Sequence, residues 1–295
     1  MDTRMTMGST GTRHRIRSVI EVLFPRSSRR YLSLAVSMLL LLPFLLFAIS
    51  PETFSAYDPL ETSVKERLQP PNPRHWFGTD ELGRDVYARV VHGARISLTS
   101  ASMTIAIASI IGVGLGVIAG YFGGWADRAI MISADMVLAF PNILLAMAVA
   151  AVLGSGIQNA MLAMAAVWWP VYARLTRGLT LQIKQEEYVQ ASYVTGGNWL
   201  HVIRKHILPN TLSSLVIRVS LDLGFAILLL ASLGFVGLGA AAPTPEWGTM
   251  VSLGRTYFLT EWWIGLFPAL AITFVVIATT LVGDSLNDLW NPLRS

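Results

Sequence analysis

The sequence predicts an all-α, polytopic membrane protein with six transmembrane helices. Of its 295 residues, 53% are apolar and 14% are charged, whereas about a quarter of the residues of a soluble domain carry charge. Several uncharged runs reach about 20 residues, the length at which an α-helix crosses the hydrocarbon core of a bilayer. Cysteine is absent, which excludes disulfides, thiolate nucleophiles and cysteine metal sites.

The six predicted spans are separated by turn signals or by charged residues. They cover residues 32–49, 96–121, 129–153, 161–174, 212–239 and 262–282. Residues 136–173 carry no charge, but this run is too long for one span, and GSGIQN at 154–159 supplies a turn that divides it. The first run is too long for a cleaved signal peptide, and no small-residue cleavage site follows it.

Charge places both ends of the chain on the cytoplasmic side. The residues that precede the first span include Arg13, Arg15, Arg17, Arg26, Arg29 and Arg30. By the positive-inside rule this cluster is cytoplasmic, and an even number of spans returns the C-terminus to the same side. Residues 174–210 then also lie in the cytoplasm, and residues 51–95 form an external loop. Because the net charge of +4 is concentrated beside the first span, it does not indicate nucleic-acid binding.

Residues 186–210 form a polar, strongly patterned segment between apolar runs. Two sets of residues recur at helical spacing, Tyr188, Ala191, Ser192 and Thr195 in the first and Trp199, Val202, Ile203 and His206 in the second. Gly196 and Gly197 separate the sets, and Asn198 is a candidate N-cap of the second helix. Pro209 is expected to end that helix before the fifth span. The pattern predicts two short helices at a bend, which either pack on the protein or the lipid or dock onto a separate partner.

This segment resembles the cytoplasmic EAA loop of permease subunits of bacterial ABC importers. The matching positions are Gln190, Ala191, Ser192, Gly196, Leu208 and Pro209. The departures from the usual loop are Gln190 for glutamate, Ser192 for alanine and His206 for isoleucine, although glutamates lie one turn upstream. The resemblance implies that the chain is coupled to an ATPase through Glu186, Glu187, Tyr188, Gln190, Ala191, Ser192, Gly196, Leu208 and Pro209.

Four further motifs resemble the dipeptide/oligopeptide/nickel branch of these importers, and specifically its second permease. They are HWFGTDELGRDVYARVVHGARISL at 75–98, GYFGGWADRAIM from 120 with AFPNILLA ending at 146, LGFVGLGAAAPTPEWGTM at 233–250, and GDSLNDLWNP at 283–292. The resemblance implies the type I importer permease fold. It divides the chain into a basic cytoplasmic segment at 1–30, a first transmembrane helix at 31–50, an external loop at 51–95, a core permease domain at 96–289 with coupling helices at 186–206, and a cytoplasmic tail at 290–295.

The resemblance also implies a function and partners. The chain is expected to be a permease subunit in the bacterial cytoplasmic (inner) membrane that imports dipeptides or oligopeptides, with nickel, glutathione or another small solute as alternatives. Expected partners are a homologous second permease in a heterodimer, two ATP-binding subunits, an external solute-binding protein and the lipid bilayer. No cofactor is expected on this chain, because ATP and Mg are used by the ATP-binding subunits. Many members of the branch carry a glutamate in the fifth span where this chain has Leu230. The resemblance therefore does not identify the solute.

The lysines of the chain exclude nucleotide hydrolysis by a phosphate-binding loop. A GxxxxGK[S/T] loop needs a lysine after a glycine, and none of Lys65, Lys184 and Lys205 follows one. If ATP drives transport, the ATPase is another chain and this chain is not an enzyme. The competing hypothesis is an ion-coupled carrier, which needs ionisable residues at mid-membrane, and only Asp222 lies deep in a span. Intramembrane proteolysis is disfavoured because no candidate base faces Asp222.

Four residues are candidates for the pore or its gate: Asp222, Pro141, Trp168 and Trp169. Asp222 follows Arg218 by one helical turn, so it either forms a structural ion pair or contacts solute or protons. Pro141 is expected to kink the third span. The two tryptophans either line a cavity or lie in an interfacial aromatic belt.

Glycines in the second span predict close helix packing. Gly112, Gly116, Gly120 and Gly124 recur every fourth residue, a spacing that lets helices approach closely in lipid. The histidines do not suggest a metal site, because His201 and His206 are five residues apart and share a helical face poorly.

Overall fold

A computed structural model describes residues 26–290, with side chains from residue 32 onward. The predicted basic segment 1–30, with the arginine cluster at Arg13, Arg15 and Arg17, and the predicted tail 290–295 therefore lie largely outside the described residues. Within the described part, the regular elements are helices and no strand forms. The predicted all-α class is confirmed.

Eleven α-helices are described in residues 26–290. Their bounds are α1 Arg26–Ile49, α2 Pro51–Phe54, α3 Val86–Phe122, α4 Gly124–Leu138, α5 Asn142–Leu153, α6 Ile157–Ile183, α7 Glu187–Val194, α8 Trp199–Val202, α9 Leu208–Phe235, α10 Trp247–Gly254 and α11 Trp263–Trp290. A π-helical segment, Ile203–Ile207, joins α8 to α9, and short 3-10 turns lie at Val64–Glu66 and Arg255–Tyr257.

The first four predicted spans lie within these helices or helix pairs, whereas the fifth overlaps α9, which ends at Phe235 and not at 239, and the sixth overlaps α11, which begins at Trp263 and not at 262. Four helical segments are long and apolar enough to cross a membrane, namely residues 32–49 of α1, α3, the run Trp199–Phe235, and α11; the number is five if the bent pair α4 and α5 counts as one span. The predicted fourth span lies in α6, whose C-terminal half carries Arg174 and Arg177. The six-span count and the sides of the termini stay predictions.

The third predicted span is broken rather than kinked. Helices α4 and α5 meet at an angle of 94°. Pro141 is the N-cap of α5, where its missing N–H costs no helical hydrogen bond, and α4 has already ended at Leu138. The next turn is the predicted one, since Gly154 and Gly156 have positive φ values of 92° and 137° between α5 and α6.

Helices α3 and α6 pack closely along the predicted glycine stripe. A Cβ atom at Gly112 would lie 2.4 Å from the Trp169 carbonyl oxygen, and one at Gly116 would lie 2.5 Å from the Ala173 carbonyl oxygen. Gly120 faces α6 in the same way. The prediction for Gly124 is wrong, because the chain leaves the helix at Gly123 and Gly124 begins α4 with open space around it.

The segment before α3 is held by buried charges. Arg84 donates from Nε to Asp80 Oδ2 at 2.7 Å, and Arg89 Nε lies 3.6 Å from the same oxygen. His75 Nδ1 lies 2.8 Å from Asp85 Oδ2. These five side chains are buried. Helix α3 begins at Val86, so the last part of the predicted loop 51–95 is already helical.

Candidate coupling surface and membrane ion pair

The first candidate site is the bend after α7. The helix ends in a Schellman-type cap, in which the Gly197 N–H donates to the Ser192 carbonyl at 2.8 Å and the Gly196 N–H donates to the Tyr193 carbonyl at 3.0 Å. Gly196 has φ of 89°, a region that strongly favours glycine. The predicted helix-ending glycine is confirmed.

The second predicted helix is longer than expected. Asn198 caps it as predicted, since Oδ1 accepts the His201 N–H at 2.8 Å. The prediction that Pro209 separates this helix from the fifth span is wrong, because the helix runs from Trp199 to Phe235. In a regular α-helix the proline ring collides with the carbonyl four residues back, and the wider π-helical turns of Ile203–Ile207 relieve that conflict.

The predicted coupling residues lie at the start of α7, along it, at the bend that follows and at the start of α9. We call this set of residues the coupling surface, and it consists of Glu186, Glu187, Tyr188, Gln190, Ala191, Ser192, Gly196, Leu208 and Pro209, all of them exposed or half-buried. The Tyr188 ring lies 5.6 Å from that of His206, and the Tyr188 hydroxyl accepts a hydrogen bond from Asn210 Nδ2 at 3.2 Å. These contacts hold α7 beside the π-helical segment. Of the predicted stripe on α7, Tyr188 therefore packs on the chain, whereas Ala191 and Thr195 are exposed, which leaves lipid or a partner for that part of the stripe.

Helix α7 is fixed to the protein by its opposite side. Val189 is fully buried in a small apolar cluster, separate from the main core, that contains Val117, Tyr121, Ile183, Val189, Val202, Ile203 and Ile207. This cluster joins the end of α3 and the end of α6 to α7 and the π-helical segment. Helix α7 therefore has one face bound to its own chain and one face free.

A tyrosine clasp, which we define as Tyr121, Lys184 and Tyr193, reinforces this attachment. The Tyr193 hydroxyl donates to the Tyr121 hydroxyl at 2.7 Å. Lys184 Nζ donates to the Tyr121 carbonyl at 2.7 Å and lies 5.1 Å from the centre of its ring. Neither these residues nor Val189 is among the predicted coupling residues, because the two tyrosines are 72 positions apart and no local pattern in the sequence indicates their contact.

The second candidate site is a buried carboxylate in α9. Asp222 is 2% exposed, and its Oδ2 accepts hydrogen bonds from Arg218 Nε at 2.9 Å and Trp168 Nε1 at 3.2 Å. The ion pair one helical turn apart is the predicted one. Trp168 is neither exposed to a cavity nor placed in an interfacial belt, because it is 6% exposed and serves as a donor to Asp222.

A cavity of about 360 Å³ opens between α5, α9, α10 and α11. Its apolar wall contains Met147, Leu228 and Phe235, and the hydroxyl residues Ser232 and Thr273 also line it. Pro141 begins the helix that forms one wall. Trp169 and Leu230 are not among the lining residues: Trp169 is half-buried beside α3, and Leu230 is buried.

Glu246 fixes α10, which forms another wall of this cavity. Its carboxylate is 2% exposed and accepts the N–H groups of Gly248 at 2.8 Å and Thr249 at 2.9 Å. Burial raises the pKa of the Glu246 carboxyl, while these hydrogen bonds to the first turn of α10 act in the opposite direction. Among residues 26–290, no group of three or more histidine, aspartate or glutamate side chains could hold a metal ion.

Long apolar helices and a bent helix pair beside an open cavity indicate an α-helical membrane protein. Residues 112–295 match the family described as "Binding-protein-dependent transport system inner membrane component", and the chain belongs to this family. It is a permease subunit of the bacterial inner membrane.

Three relatives match nearly the whole chain. The probable D,D-dipeptide transport system permease protein DdpC of Escherichia coli is 44% identical over 261 residues, 88% of this chain and 87% of that protein. The dipeptide transport system permease protein DppC of Alkalihalophilus pseudofirmus is 42% identical over 257 residues, 87% of this chain and 84% of that protein. The glutathione transport system permease protein GsiD of Pectobacterium atrosepticum is 40% identical over 268 residues, 90% of this chain and 89% of that protein.

A solved structure shares the fold. An inward-facing conformation of the MetNI methionine ABC transporter contains a chain that aligns with a TM-score of 0.52 at 20% identity, covering 66% of this chain and 93% of that chain. At this identity the likeness concerns the fold alone. The predicted importer permease fold is therefore confirmed.

Proposed function

We propose that this chain imports small peptides as one half of the membrane path of an ATP-driven importer. The other half is a homologous second permease, two ATP-binding subunits dock on the cytoplasmic side, and a solute-binding protein delivers peptide from outside. The observation that carries the proposal is the coupling surface, which is held to the protein by buried Val189 on one side and is accessible on the other.

The geometry of the coupling surface suits transmission of a mechanical step. Its helix α7 contacts α3 and α6 through the small apolar cluster, and α8 continues without a break into α9. Closure of the ATP-binding subunits on ATP displaces α7 and α8 and thereby rocks α3 and α9 as rigid bodies. The path then alternates between inward-open and outward-open states. ATP and Mg are used by the partners, and this chain binds neither.

Peptide is the cargo best supported by the relatives. The three relatives above are named for D,D-dipeptide, dipeptide and glutathione, and all three solutes are small peptides with free carboxylates. Nickel stays the alternative cargo class. The cavity between α5, α9, α10 and α11 is largely apolar with two hydroxyl residues, a lining that suits a path tolerant of different side chains.

The ion-coupled carrier is the less supported mechanism. Its single deep candidate, Asp222, is buried, and its Oδ2 is bound to Arg218 and Trp168. A carrier needs a coupling group that gains and loses its ion during transport. The contacts of Asp222 favour a structural ion pair.

Reconstitution of the full complex in vesicles tests the proposal. Uptake of labelled alanyl-alanine, D-alanyl-D-alanine, glutathione and nickel is measured with and without ATP, and with an uncoupler. We expect peptide uptake that requires ATP and survives the uncoupler. Uptake by this chain without any ATPase, abolished by the uncoupler and by Asp222→Asn at normal expression, would contradict the proposal.

A further inference from the structure

Arg218 is the accessible member of the membrane ion pair. Its side chain is 40% exposed, whereas that of Asp222 is 3% exposed. Its contact with Asp222 is made by Nε. Among the hydrogen bonds of residues 32–290, none is donated by the two terminal nitrogens of this guanidinium group. Arginine recognises carboxylates with these outer N–H groups, so the groups that bind anions are the ones that remain available.

The position of Arg218 within a span disfavours a lipid-facing charge. Arg218 lies six residues after the start of the predicted fifth span at residue 212, which is about 9 Å into a hydrocarbon core of about 30 Å. An arginine at this depth is costly in lipid, and such residues face protein or a water-filled cavity. The exposed side of Arg218 therefore faces the transport path or a neighbouring subunit.

The face of α9 that carries Arg218 continues into the cavity. Arg218, Phe225 and Ser232 follow at intervals of seven residues, which places them on one side of the helix. Phe225 is 55% exposed, and Ser232 and its neighbour Leu228 line the cavity. Arg218 therefore lies on the same side of α9 as the cavity wall, about 21 Å along the helix from Ser232.

We propose that Arg218 binds the carboxylate of the solute in transit, and that its substrate class is peptides with a free C-terminal carboxylate. This inference rests on the proposed peptide transport. Asp222 and Trp168 act as positioning residues, because the Nε contact and the indole hydrogen bond hold the guanidinium plane with its outer edge accessible. The negative charge of Asp222 also weakens the attraction between Arg218 and a solute carboxylate. A contact in a transport path must be weak enough to release its solute.

In the competing arrangement, the terminal nitrogens of Arg218 bind a carboxylate of the second permease instead of a solute. A subunit contact and a solute contact differ in their consequences. Loss of a subunit contact weakens assembly of the two permeases and has no effect on the chemical preference for solute. Loss of a solute contact leaves assembly intact and removes the preference for a carboxylate.

The test compares alanyl-alanine with its C-terminal amide, each presented to the reconstituted complex by saturated solute-binding protein. The measured quantity is the ratio of the two maximal uptake rates. Because the same binding protein delivers both solutes in every sample, its own preference cancels when the ratio of a variant is divided by the ratio of the wild type. The main variant is Arg218→Gln with Asp222→Asn, which removes both charges and leaves no buried carboxylate unpaired. Arg218→Lys keeps the positive charge.

We expect the double variant to lower the preference for the free acid about tenfold, the value of one charge-assisted hydrogen bond, and Arg218→Lys to retain part of it. The matched control removes a second arginine–aspartate ion pair, which Arg174 and Asp135 form with exposed side chains. The variant Arg174→Gln with Asp135→Asn should leave the ratio unchanged. An unchanged ratio in the Arg218 variants, an equal loss in the control, or loss of the second permease on purification would overturn the inference. A wild-type complex that takes up neither probe with ATP would contradict the proposed function and the inference together.

Discussion

The two ends of helix α3 carry different attachments to neighbouring segments. At the end that begins with Val86, four charged side chains, Asp80, Arg84, Asp85 and Arg89, are each less than 5% exposed and are bound to one another, to His75 or to backbone groups. At the end near Tyr121, helix α7 is attached by one small apolar cluster and the tyrosine clasp, and its other face is free.

We call the end of α3 at Val86 the fixed end and the end near Tyr121 the responsive end, because the attachment of α7 there can open more easily. Breaking buried charge pairs is expensive, so the end at Val86 behaves as one unit with the segment before it. A few apolar contacts and one hydroxyl pair open at a much lower cost. Helix α3 has 37 residues and is about 55 Å long, so it connects the two kinds of attachment directly.

The largest effect is expected from breaking the fixed end. Asp80→Ala removes the carboxylate shared by Arg84 and Arg89 and leaves buried positive charge, at a cost of about 3–5 kcal/mol. The amount of monodisperse protein after detergent extraction should fall severely. Glu52→Gln is the control, because its ion pair with Arg95 is exposed on both sides and should contribute little. Normal yield of Asp80→Ala would show that the charges do not hold this end.

A smaller effect on stability, but a large effect on transport, is expected at the coupling surface. Gly196→Val opposes the positive φ and costs about 1 kcal/mol or more, which misaligns α7 and α8. Membrane insertion should be normal while transport and co-purification of the ATP-binding subunits fall. Gly178→Ala is the control, since Gly178 has open space around it and no positive φ. Full transport by Gly196→Val would rule out docking through this bend.

The tyrosine clasp should give a modest change that is specific to coupling. Tyr193→Phe removes one hydroxyl contact, worth about 1 kcal/mol, and should increase the number of ATP molecules hydrolysed per solute imported. Tyr121→Phe should have the same effect, and the double variant should be no worse than either single variant, because both remove one interaction. The control is Tyr257→Phe, whose hydroxyl makes no hydrogen bond in the described part of the chain. If the ATP-to-solute ratio stays at the wild-type value in all variants, the clasp has no part in coupling.

Reporter fusions should disturb the protein least. They test whether the two ends of α3 lie on opposite sides of the membrane. The two ends of α3 belong on opposite sides of the membrane if the predicted topology is right. Reporters at Gly11 and Ser295 should then be cytoplasmic, and one within residues 52–74 should be external. A cytoplasmic signal from residues 52–74 would overturn the six-span topology.

Local features of the site could be predicted from the sequence because their causes are local. The positive φ of Gly196, the Asn198 cap and the Arg218–Asp222 pair each depend on residues within one or two helical turns. The contacts of Gly112 and Gly116 with α6 also followed from spacing, although Gly124 did not continue the stripe. The helix positions likewise followed from apolar runs of the right length.

The contacts that assemble the site could not be predicted in this way. The hydrogen bond from Trp168 to Asp222 joins residues 54 positions apart, and the clasp joins residues 72 positions apart. The right-angle break at Pro141 and the continuous helix through Pro209 depend on how neighbouring helices and turns absorb a missing N–H. A proline signals a disturbance in the sequence, but the size and direction of the response depend on tertiary structure.

The π-helical segment Ile203–Ile207 also sets the direction in which the coupling surface faces, measured as a rotation about the axis of α9. A π-helical turn places one additional residue in a helix, and each residue of an α-helix turns the chain by about 100° about its axis. Everything on the N-terminal side of this segment, including the bend at Gly196, is therefore rotated relative to the face of α9 that carries Arg218. Five residues of unusual helix thus determine the direction in which a docking partner would meet the membrane path.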